Sequence, residues 1–156
     1  MSKISLASAS LVALIATLIA TGIHHIFRLG PELILPTAIG VAIPIVLWSL
    51  HERTGKPALL WAYRAYAALV VFWFGFLDGF LDHVAKAAGL DNVTFLAGSE
   101  EEIVGTAMQL WSKSASTAFY EGTGILSAAL ALLTVITTWR YLVDQILASG
   151  EAQHRG

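Results

Sequence analysis

Four stretches of this chain are apolar enough, and long enough, to cross a lipid bilayer as helices: Ile4–Ile26, Leu33–Leu50, Ala58–Leu81 and Thr123–Val143. A bilayer core is about 30 Å thick, and a helix rising about 1.5 Å per residue covers it in roughly 20 largely uncharged residues. Composition agrees. Of the 156 residues, 56% are apolar and 13% charged, about half the charged fraction usual in a soluble domain. The expected fold is therefore all-α: a polytopic membrane four-helix bundle forming one domain over residues 1–148, with a loose tail over 149–156. The first stretch has a flank like that of a signal peptide, but its apolar run is long for one and Ala20-Thr21-Gly22 is a poor cleavage site, so it is expected to remain as a helix.

Turns between the stretches set their directions. Gly30-Pro31 and Gly55-Lys56-Pro57 punctuate the first two connections, since glycine permits the turn and proline cannot continue the preceding helix. Consecutive helices are then antiparallel, and the ends of the first and third share a side with the starts of the second and fourth. The opposite side carries six Lys or Arg (Lys3, Arg53, Lys56, Arg64, Arg140, Arg155) against three acids, whereas the shared side has three cations against eight acids. The positive-inside rule makes the cation-rich side cytoplasmic, with both termini there, in a multi-pass cell-membrane protein. Trp48, Trp61, Tyr63, Tyr66, Trp139 and Tyr141 gather near that side as an interfacial aromatic belt would. Arg64 is expected to snorkel to the same interface.

The long connection, Asp82–Gly122, contains a helix-start signature. Ser99 can cap the chain, Glu102 closes a capping box, and Glu100 and Glu101 suit the positive end of the dipole. Ile103, Val104, Ala107, Leu110 and Trp111 follow at helical spacing, which predicts a short amphipathic helix, Glu100–Ser112, over the extracytoplasmic end.

That end also collects the polar chemistry: His24, His25, His83, Glu32, Asp78, Asp82 and Glu121. Ionisable groups at the edge of a span usually face protein or a wet cavity. At about 100° per residue, Asp78, Asp82 and His83 fall in one arc centred on Gly75 and Gly79, a small-residue pair of the kind that packs helices closely. His24 continues the line of Ala9, Ala13, Ala16 and Ala20, while His25 points about 140° away from it. Glu121 aligns with Gly124 and Ala128, and Glu32 with Pro36, Gly40 and Pro44. Each helix thus offers an ionisable group toward a common point.

Mixed imidazole and carboxylate groups on facing helices are how bundles hold metals. The candidate ligands are His24, Asp78, Asp82, His83 and Glu121, for zinc, iron or manganese. One obstacle stands in an ideal helix: Asp78 and His83 lie about 140° apart and can share an ion only if the helix loosens after Gly79. The alternative cofactor is a b-type haem with His24 or His25 and His83 as axial ligands. A proton relay is a third possibility, for which the spans offer Ser5, Ser8, Ser10, Thr17, Ser127, Thr134, Thr137, Thr138 and Arg64 but no mid-membrane acid. Individually, the same residues also have structural explanations: Asp82 paired with Lys86 one turn on, or Glu121 at a helix N-terminus.

Absent features exclude other classes. The chain has no cysteine, hence no disulfide, thiolate nucleophile or cysteine-held cluster. It has no phosphate-binding glycine loop and no basic nucleic-acid surface. The expected partners are the lipid bilayer and, in the alternative reading of the chain as a small accessory subunit, a homo-oligomer or larger membrane complex.

Overall fold

A computed structural model describes residues 5–90 and 110–154, with side chains to residue 145. The described residues are all-helical. Helix α1 spans Leu6–Leu29, a short 3-10 turn covers Pro31–Leu33, α2 spans Ile34–Thr54, and α3 spans Pro57–Val70. The last continues without a break into a π-helical segment, Val71–Ala85, and α4 runs from Lys113 to His154. Among the described residues, four helical stretches are long and apolar enough to cross a membrane: Leu6–Leu29, Pro31–Thr54, Pro57–Ala85 and Lys113–Gln145.

The caps are those written into the sequence. The Ser5 hydroxyl accepts from Ser8 N at 3.1 Å and starts α1. Gly55 closes α2 in the left-handed region, at φ 65°, where a side chain would be strained, and its N–H reaches His51 O. Pro57 then opens α3 at a position where no N–H is needed.

Helix α4 begins ten residues earlier than its apolar run, a correction with a visible cause. The Ser112 hydroxyl accepts from Ala115 N at 3.4 Å, as an N-cap does. The Lys113–Gly122 stretch is polar by composition, yet it buries one face through Ser116 and Tyr120. Thr117 returns its hydroxyl proton to Lys113 O. At the other end α4 stays helical to His154, past the point where a loose tail was expected. The anticipated helix at Glu100–Ser112 lies almost wholly outside the described residues; its last three, Leu110–Ser112, are not helical.

Helix α4 is the centre of the bundle, packing along both α1 and the π segment, while α2 lies at the periphery against α1 and α3. Small residues set these distances. A Cβ added at Gly75 would overlap that of Ala131, and one at Gly79 would stand 2.9 Å from the backbone N of Ala128. In lipid, where apolar burial gives helices little reason to associate, such close packing and interhelical hydrogen bonds hold them together.

Buried side chains along the contact of α1 with α4 recur at a seven-residue interval. Ser10, Thr17 and His24 on α1 face Tyr120, Ser127, Thr134 and Tyr141 on α4, and all seven are buried. This is the seam of an antiparallel coiled coil with polar side chains in place of aliphatic ones. Thr17 and Thr134 hydroxyls meet at 3.0 Å. Ser10 meets Thr138 at 2.7 Å and Tyr63 at 2.9 Å. Tyr63 and Tyr141 therefore belong to the core, with Leu14, Leu18, Leu60 and Val70, and not to an interfacial belt. Trp61 and Trp139, both 65% exposed, match the belt expectation. Arg64 does not simply snorkel: its guanidinium donates to Gln145 Oε1 at 2.9 Å and lies over the rings of Trp61 and Tyr141.

Candidate metal centre

The π segment resolves the obstacle posed by helical phase. An α-helix stacks residues near three and four apart, whereas i→i+5 hydrogen bonding brings residues five apart toward one line. Asp78 and His83 are five apart and both lie within Val71–Ala85. Both are buried, and each contributes a ligand atom to a group in which His24 supplies the third; the three atoms lie within 4.8 Å of one another.

Hydrogen bonds assign the donor atom on each ring. His83 Nδ1 lies 2.8 Å from Glu121 Oε2. A carboxylate accepts, so Nδ1 carries a proton, and in the neutral ring Nε2 keeps its lone pair. His24 Nδ1 lies 3.0 Å from the Thr123 hydroxyl. That hydroxyl has one proton, and it is directed at the carbonyls of Phe119 and Tyr120, at 2.8 and 3.0 Å. With the Thr123 proton on either carbonyl, the hydroxyl accepts from His24 Nδ1, and in the neutral ring Nε2 then has the lone pair; the opposite tautomer would have Thr123 donate to Nδ1.

One potential ligand atom from each of the three residues thus lies within 4.8 Å of the other two. His24 Nε2, His83 Nε2 and Asp78 Oδ2 are all buried without a hydrogen-bond partner. Buried polar atoms are nearly always satisfied, and a cluster of acceptors with no donor among them is repulsive unless a cation lies between them. The supports behind the rings have the form found around metal-binding histidines, whose second nitrogen donates to a carboxylate or another fixed acceptor. Glu121 is held in turn by Lys86, whose Nζ lies 2.9 Å from Oε1.

Packing fixes the rings further. Tyr120 stacks on His24 with centroids 4.4 Å apart and meets His83 edge-on at 5.0 Å. His24 and His83 contact each other edge to face at 4.8 Å. A Cβ on Gly124 would overlap the His83 imidazole, so the ring occupies space that only glycine leaves free.

The remaining candidates are placed as follows. Asp82 Oδ1 is buried and unpartnered but lies outside the three-atom group. Glu121 stands behind His83. Glu32 is exposed on the 3-10 turn, so α2 brings no ionisable group to the cluster. Phase alone misplaces His25: its Nε2 lies 3.8 Å from Asp78 Oδ1, and its Nδ1 donates to Thr21 O at 2.9 Å. Thr123 is the supporting residue that sequence reasoning misses. Its place one turn before Ser127, on the polar interval of α4, is the signal that finds it. Comparison with protein families, with characterised proteins and with solved structures finds no match for this chain.

Proposed function

We propose that this protein is an integral membrane metalloprotein in which His24 Nε2, His83 Nε2 and Asp78 Oδ2 bind one first-row divalent ion, zinc, iron or manganese. The observation that carries this reading is the buried trio itself: ligand atoms of His24, Asp78 and His83 lie within 4.8 Å of one another, His24 Nε2, His83 Nε2 and Asp78 Oδ2 are unpartnered, and Thr123 and Glu121 stand behind the rings at Nδ1. Two imidazoles and one carboxylate are a donor set shared by catalytic zinc and non-haem iron(II) sites. Structural zinc sites close with four protein ligands; three leave a coordination position for water or substrate, which supports a reactive or metal-handling role over a purely structural one.

A haem between His24 and His83 has less support. The two rings touch edge to face, and Asp78 belongs to the same group, an arrangement suited to a single ion and not to a macrocycle. The charge asymmetry of the sequence supports an extracytoplasmic position for the site.

Elemental analysis of detergent-purified protein tests the proposal. About one metal per chain is expected in the wild type, falling at least tenfold in His24→Ala, His83→Ala and Asp78→Asn, with helicity retained. Metal far below one per chain in the wild type and unchanged by the three substitutions overturns it. A Soret band would favour the haem reading, and a stoichiometric partner without metal would favour the accessory-subunit reading.

A further inference from the structure

A second chemical feature lies on the other side of Asp78. Between α1, α2 and the start of the π segment is a cavity of about 470 Å³, within the range of small-molecule sites. Leu18, Pro36, Trp73 and Phe74 supply apolar and aromatic walls. Two polar side chains on α1, Thr21 and His25, line it as well.

Both have unused hydrogen-bonding capacity. Thr21 is 4% exposed, and its hydroxyl is buried without a partner. Serines and threonines in membrane helices usually return their proton to the preceding turn, as Thr17 does to Ala13 O. Thr21 does not. His25 gives its Nδ1 proton to Thr21 O, so in the neutral ring Nε2 is an acceptor. The nearest polar atom to which it is paired, Asp78 Oδ1 at 3.8 Å, is also an acceptor and beyond hydrogen-bond range. By contrast, Tyr66 is already engaged, donating to Gly40 O at 2.8 Å.

What the two side chains lack is complementary: His25 Nε2 can take a proton in the neutral ring and Thr21 Oγ1 can give one. A hydroxyl group serves both. The walls ask that it be carried on a flat, apolar body, and Phe74 already meets the His25 ring edge-on at 5.6 Å, so an aromatic body extends an existing aromatic contact. We propose that this cavity binds a membrane-dissolved ring hydroxyl compound of the phenol or hydroquinone class, its hydroxyl donating to His25 Nε2 and accepting from Thr21 Oγ1. The proposal stands on the cavity and its two polar residues and does not require a metal at the neighbouring group.

The test is calorimetric titration of metal-stripped protein in lipid nanodiscs, under anaerobic conditions, with decylhydroquinone and with its dimethyl ether. Saturable 1:1 binding of the hydroquinone is expected, with the ether at least tenfold weaker because it cannot donate. Thr21→Val and His25→Phe are each expected to weaken binding about tenfold, and Leu33→Trp, which fills the cavity from the 3-10 turn before α2, to abolish it. An unchanged thermal transition shows that each variant is folded, and Leu33→Trp tests the cavity without touching either polar residue. Heats no greater than those of protein-free nanodiscs, equal binding of the ether, or undiminished binding by Leu33→Trp overturn the proposal.

Discussion

The imidazole of His83 fills the volume in which a side chain on Gly124 would stand, so a ring from the π segment and a gap in α4 are two halves of one fit. The ring is held from behind by Glu121, three residues earlier on the same helix. Position and orientation of the ligand are thereby set by a single turn of α4.

Gly124→Ala should therefore expel His83 from its place and lower metal affinity by at least tenfold. Gly122→Ala is the matched control, since a Cβ there meets nothing within 4 Å. Metal titration of the two variants side by side checks this. Equal affinity in both would show that His83 does not need its present seat.

The hydrogen bonds behind the two rings should matter even though their makers touch no ion. Thr123→Val and Glu121→Gln are each expected to weaken metal binding by roughly 10–100-fold, the usual effect of removing such a support. Thr123→Ser should restore most of the loss, because a serine hydroxyl can accept from His24 in the same way. A valine variant with wild-type affinity would remove the tautomer argument.

Acid should release the metal. An ion at Nε2 competes directly with a proton there, and both rings already carry their Nδ1 protons toward Glu121 and Thr123. Bound metal requires the two Nε2 positions to be unprotonated, so affinity is greatest on the alkaline side and falls as pH falls. The slope of log affinity against pH should approach about two in acid for the wild type and about one for a single-histidine variant. A pH-independent affinity would point to ligands other than imidazole.

The seam between α1 and α4 should couple its partners energetically. A double-mutant cycle with Thr17→Val and Thr134→Val, measured by unfolding in mixed micelles, is expected to give about 0.6 kcal/mol and not more than about 1.7 kcal/mol, the range found for interhelical hydrogen bonds in membranes. Zero coupling would mean that the 3.0 Å contact adds nothing beyond each hydroxyl's bond to its own helix.

Orientation is accessible because the chain contains no cysteine. Single substitutions Lys113→Cys and Arg53→Cys can be labelled in intact cells with a membrane-impermeant maleimide. Labelling of position 113 and protection of position 53 is the expected outcome, and the reverse pattern would invert the topology.

Much of this architecture was legible from residue pattern. The apolar runs gave the spans, Gly55 and Pro57 gave the turn, and the alignment of Gly75 with Gly79 and of Glu121 with Gly124 and Ala128 anticipated the packing of the π segment on α4. His24 was placed inward by its alanine line. What escaped had physical reasons. Lys113–Gly122 reads as a loop because its hydroxyls look solvent-seeking, whereas in the structure Thr117 returns its proton to Lys113 O and Ser116 is buried. Phase at 3.6 residues per turn sets His83 out of line with Asp78, because the true winding of that stretch is wider. The role of Thr123 depends on where its single proton goes, which no spacing rule records.

The π winding has a genetic corollary. Between Asp78 and His83 the spacing counts for more than the identity of the four intervening residues, because the pair meets only when five steps complete a turn. Loss or gain of one codon between Asp78 and His83 would leave composition and span length almost unchanged and still swing one side chain away from the other. Homologous chains that keep this centre should accordingly tolerate substitution in the stretch far better than any change in its length.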